Sequence, residues 1–149
     1  MEAEVYPEPR VDRLISESFV PVRIHVRENP AAMERFNVQW TPTIVLLGPD
    51  GKEHHRIEGF LGVEDFLAQL ILGLGHIAFA GKQFERAVER FAEVLERFPA
   101  TAAAPEAQYW HGVASYKATN DAAALGATAK AFQQKYSDSV WAQKASVWA

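Results

Sequence analysis

The chain has 149 residues, 48% hydrophobic and 23% charged, with 15 Lys and Arg against 19 Asp and Glu for a net charge of −4. That apolar content excludes a disordered chain, and the acidic balance gives no electrostatic footing for nucleic acid. The lack of any cysteine excludes disulfides, thiolate catalysis and zinc–thiolate or iron–sulfur sites built by this sequence.

No apolar run reaches the ~18 residues of a membrane span; the longest, 71–80, is interrupted by Gly73, Gly75 and His76. Residues 1–18 hold seven charged side chains and no apolar core of a secretory signal, so a cytoplasmic location without membrane association is expected. Residues 1–67 carry 12 acids and 7 bases, whereas residues 68–149 carry 7 acids and 8 bases and are rich in alanine. This shift predicts two modules, 1–67 and 68–149, with a helix over 63–80 shared between them.

In the first module, residues 10–17 read as a short amphipathic helix with Val11, Leu14 and Ile15 on one side. Phe19 to Val26 alternates, placing Val20, Val22, Ile24 and Val26 on one face of a predicted strand. Pro21 cannot donate to a ladder and marks an edge. Asn29 and Pro30 form a cap and first position for a helix to about Phe36. Thr43 to Leu47 is a continuous branched run, as in a strand covered on both faces. Gly48-Pro49-Asp50-Gly51 turns into a return strand, 53–58.

Trp40-Thr41-Pro42-Thr43, set between a short helix and an apolar strand with a tight hairpin, resembles the cis-proline segment of the thioredoxin superfamily. Residues 52–60, with Gly59, resemble that family's last strand. The resemblance covers roughly residues 5–72 and implies a partial mixed sheet. It also implies a cis-proline loop (Trp40, Thr41, Pro42) whose backbone pairs with extended peptides. A trans Pro42 that merely starts a strand is the plain alternative. The family's first strand and its Cys-x-x-Cys helix have no counterpart in this sequence, and Tyr6-Pro7-Glu8-Pro9 reads as the kinked continuation of that helix. Two explanations stand. The sequence is a piece of a longer protein whose Cys-x-x-Cys lies upstream of Met1, or it is a reduced natural form in which 19–26 pairs with 43–47 or another chain fills the gap.

The second module resembles tetratricopeptide repeats. Leu74, Gly75, Phe84, Ala87, Phe91 and Pro99 fit that pattern, with helices predicted over 64–79 and 84–98. A second unit follows, with helices over 106–118 and 122–136. Gly112 stands 37 residues after Gly75, which implies an insertion near 102–104. Ser137 answers Pro99, and residues 139–149 read as a closing helix with Trp141 and Trp148 inward. Exposed stack ends need lids, a role expected of the first module. The predicted class is therefore α/β: a partial thioredoxin-like sheet, then an all-α tetratricopeptide-like module.

Catalytic and metal constellations are not evident. His54 and His55 are adjacent on a strand and point to opposite faces. His76 and His111 lack acidic neighbours at helical spacing. Glu85, Glu89, Glu93 and Glu96 interleave with Arg86, Arg90 and Arg97 as a solvated helix face. No cofactor is expected. The repeat resemblance places Gln69, His76, Phe79, Tyr109, Tyr116 and Lys117 on a groove suited to a peptide or protein partner, against the plain reading that the aromatics are packing residues. An interaction or scaffold role follows, with a thiol–disulfide oxidoreductase carrying its cysteines upstream as the alternative. Exposed sheet edges also suggest a homodimer.

Overall fold

Glu8 opens the first helix, α1 (Pro9–Ser18), by accepting the backbone N–H groups of Arg10 at 2.8 Å and Val11 at 3.2 Å. Pro9 takes the first helical position, where a missing N–H leaves nothing unpaired. The preceding residues form turns rather than a helical continuation. This computed structural model describes residues 1–149, which divide into two units, Met1–Leu67 and Ala68–Ala149.

The strand predicted over 19–26 does not form. The segment follows α1 without any ladder: no N–H of residues 20–26 bonds to another backbone group. Every residue from 20 to 31 is exposed. Alternation makes a segment fit for a sheet, but a strand needs a neighbour, and none runs alongside this one.

Helix α2 (Pro30–Arg35) is capped by Asn29, whose side chain accepts from Ala32 N–H at 3.1 Å. Strands β1 (Thr43–Leu47) and β2 (Glu53–Glu58) pair antiparallel, with Thr43 opposite Glu58, Ile44 opposite Ile57 and Val45 opposite Arg56. The sheet is two-stranded and purely antiparallel, not the mixed sheet expected, because segment 19–26 adds nothing to it. For the same reason β1 is not covered on both faces. Only Leu46 is buried, and Leu47 is 38% exposed. The hairpin turn uses Gly51 at φ 76° and Asp50, which accepts the Lys52 N–H at 3.0 Å.

Arg56 ties β2 to the end of α2. Its guanidinium donates to the Phe36 carbonyl and, at 3.3 Å, to that of Asn37, while Glu53 accepts from it at 2.6 Å. The hydrogen bond from Arg56 holds the Glu53 carboxyl below its ordinary range. Across this unit Val5, Val11, Leu46, Ile57, Phe66 and Leu67 are buried, and Tyr6 packs at 5.9 Å from Phe66.

Helix α3 (Val63–Ala80) carries the division between the units. By length and a mean hydropathy of 1.4 it meets the criterion for a membrane span, contrary to the expectation that no segment does; half of it is buried within the protein. Phe66, Leu67, Leu70, Ile71 and Leu72 are each at most 2% exposed, the burial expected of a core helix.

The second unit is helical throughout. After α3 come α4 (Phe84–Arg97), α5 (Ala103–Thr119), α6 (Ala123–Gln134), α7 (Val140–Ala145) and a final 3₁₀ turn, Ser146–Trp148. Phe79 meets Phe84 near the α3–α4 turn, and Gly75 meets Phe91 farther from it, so the two helices run antiparallel. A Cβ on Gly75 would lie 2.5 Å from the Phe91 ring, and one on Gly112 would lie 2.8 Å from Thr128 Cβ. Both glycines allow helix backbones to approach closely, each against the residue sixteen positions later.

Three boundaries differ from expectation. Helix α5 begins at Ala103 rather than Glu106, because Ala103 and Ala104 are buried and helix-favouring. Pro105 sits in its first turn, where no N–H is needed. The expected insertion is thus an added turn of α5. Helix α6 stops at Gln134, and Tyr136, at φ 64°, cannot continue it. The closing helix is shorter than expected, with Ser139 capping α7 through Ala142 N–H at 3.1 Å. The Tyr136 hydroxyl donates to the Pro99 carbonyl at 2.5 Å.

Candidate binding surfaces

Two surfaces gather the residues singled out from sequence. The first is the loop before β1. The Thr41–Pro42 peptide bond is cis. Thr43 Oγ1 donates to the Trp40 carbonyl at 2.5 Å, and Gly59 N–H donates to the Pro42 carbonyl at 2.8 Å, fixing the loop at both ends. Trp40 is 68% exposed. With Thr41, Val26, Met33, Val38 and Gln39 it lines an open cavity of about 260 Å³. None of the lining side chains is an acid, a base or a thiol.

Residues 1–72 match the family model of a thioredoxin-like domain. This segment is a thioredoxin-like domain. No curated protein and no solved structure matches the chain. The sequence contains no cysteine, so residues 1–72 themselves supply no dithiol, and thiol–disulfide exchange proceeds only by thiolate attack.

The second surface belongs to the helical unit. Trp110, which sequence reasoning did not single out, is its hub. His76 lies 5.4 Å, Phe79 5.3 Å and Tyr109 5.5 Å from the Trp110 ring, all edge-on. Tyr109 also stacks on Trp148 at 4.9 Å and touches Trp141 at 5.3 Å, with the Lys144 ammonium 4.2 Å from the Trp141 ring. Every aromatic in this network except Phe91, which meets His76 from α4, is half-buried. Such edge-to-face pairs hold ring orientation while leaving part of each ring accessible.

Of the sequence candidates, His76, Phe79 and Tyr109 are brought together through Trp110. Tyr116 is half-buried one to two turns farther along α5 without a ring neighbour, Lys117 is exposed, and Gln69 is half-buried near the start of the unit. His76 Nε2 stands 3.6 Å from Glu106 Oε1, a neighbour on another helix that spacing along one helix does not reveal. The indole N–H of Trp110 is buried with no acceptor. Burial holds the His111 imidazole pKa below its ordinary value, because desolvation disfavours the charged ring. On the hairpin, His54 meets Asp50 at 3.3 Å.

Proposed function

We propose that this chain is a non-catalytic interaction protein, in which a thioredoxin-like domain is joined to a tetratricopeptide-type helical unit that binds extended peptides. The observation that supports it is the repeated helical pair: Gly75 against Phe91 and Gly112 against Thr128, with equal offsets, one period of 37 residues apart. Paired helices with small residues at the crossing resemble tetratricopeptide units, in which the first helix of each pair lines a groove. In this chain those helices carry His76, Phe79, Tyr109, Trp110 and Tyr116. Half-buried aromatics with polar tips suit peptide recognition at low entropic cost. The loop at Trp40, Thr41 and Pro42 is the second contact surface, and the expected setting is the cytoplasm.

A thiol–disulfide oxidoreductase whose cysteines are supplied from outside this sequence is the competing reading, favoured by the thioredoxin-like match. The test uses the full chain on an array of 15-residue peptides, alongside an insulin-reduction assay. Selected peptides should bind, Tyr116→Ala should weaken them about tenfold, close to 1.4 kcal/mol, and insulin reduction should stay at the reagent background. An array without binders above scrambled controls overturns the binding role. Reductase activity from the chain itself overturns the non-catalytic one.

A further inference from the structure

Val20, Val22 and Ile24 are 92%, 77% and 43% exposed in a segment, residues 20–24, whose N–H groups bond to no backbone group, and Val26 follows in a turn closed on the His25 carbonyl. In an extended chain, alternate residues share both a side-chain face and a backbone edge. Val20, Val22 and Ile24 therefore lie along one edge. Pro21, which has no N–H, falls on the other edge with Arg23 and His25, so the branched edge keeps its full set of donors and acceptors.

We propose that this edge pairs with the same segment of a second copy, antiparallel about a two-fold axis through Val22. The register sets Val22 opposite itself and Val20 opposite Ile24, so that the apolar faces of both strands coincide. Such self-complementarity is what a two-fold interface requires. On the other face Arg23 falls opposite Pro21, and His25 opposite Phe19. Centring the pair on Arg23 would oppose two guanidinium groups, and like charges directly opposite destabilise a ladder. Arg23 already pairs with Glu2 of its own copy, so its charge does not call for an acidic foreign strand. This dimer is independent of the peptide-binding reading.

The cysteine-free sequence makes the register directly readable. Full-length Val20→Cys, Val22→Cys and Ile24→Cys variants are oxidised gently over a concentration series. Opposed Cα atoms of a hydrogen-bonded antiparallel pair stand about 5.5 Å apart, within disulfide range. Val22→Cys should cross-link alone, whereas Val20→Cys and Ile24→Cys should cross-link efficiently only when mixed. Sedimentation equilibrium of the parent should show a species of twice 16.6 kDa, lost in Val22→Asp. Because residue 22 is exposed and unpaired, that variant should keep the parent's far-UV spectrum. A parent still monomeric at roughly millimolar concentration, equal cross-linking at all three positions, or efficient cross-linking of Val45→Cys on β1 instead would overturn the proposal.

Discussion

Gly75 lies so close to the ring of Phe91 that no Cβ fits between them, and Phe91 is itself fully buried and flanked by His76. The ring has nowhere to go. Gly75→Ala should therefore lose about 1–2 kcal/mol, because overpacking outweighs alanine's intrinsic helical advantage. Gly112→Ala should behave alike, and Thr128→Ala in the same chain should recover most of that loss, as urea denaturation of the double-mutant cycle will show. Gly62→Ala, where a Cβ meets open space, is the control.

Tyr136 joins the ends of the two repeated pairs through its bond to the Pro99 carbonyl. Tyr136→Phe keeps the ring and removes only the donor. Its expected cost is about 0.5–1.5 kcal/mol, read as a lowered denaturant midpoint with an unchanged slope.

Arg56 serves the thioredoxin-like domain in a comparable way, donating to two carbonyls beyond α2 while held by Glu53. Arg56→Ala should destabilise by about 1–3 kcal/mol. Arg56→Lys should rescue only part of this, since an ammonium cannot reproduce the forked geometry. Thermal melts of the three proteins decide it.

His111 gives the chain a pH signature. Its folded pKa lies below the unfolded value of 6.5, so the unfolded state binds the extra proton as pH falls. Stability should be full above about pH 6.5 and decline as pH drops toward the folded pKa. Denaturation midpoints measured across that window for the parent and for His111→Gln should show a smaller slope in the variant.

Helix boundaries are legible wherever a cap or a breaker stands in the sequence. Asn29-Pro30 starts α2, and Pro49-Asp50-Gly51 makes the hairpin. Local chemistry also marks the cis Thr41–Pro42 bond through its resemblance to a known loop. Segment 19–26 departs from expectation because its alternation reports suitability for a sheet, while pairing depends on a neighbour the local pattern does not contain. The spacing to Gly112 suggests an inserted loop before α5, whereas alanine's propensity and burial extend the helix instead. Trp110 escapes a sequence reading since its importance comes from α3 side chains meeting its ring: His76 and Phe79 pack on it, while Tyr109 beside it on α5 links the cluster to Trp141 on α7. Only chain-distant contacts disclose that.

The binding role is tested most directly by amide chemical-shift mapping of the full chain with the tightest array peptide. The expected result is saturable shifts concentrated over residues 76–79 and 109–116, with the saturation midpoint moved about tenfold higher by Tyr116→Ala. Shifts confined to other parts of the chain, or none at saturating peptide, would contradict it.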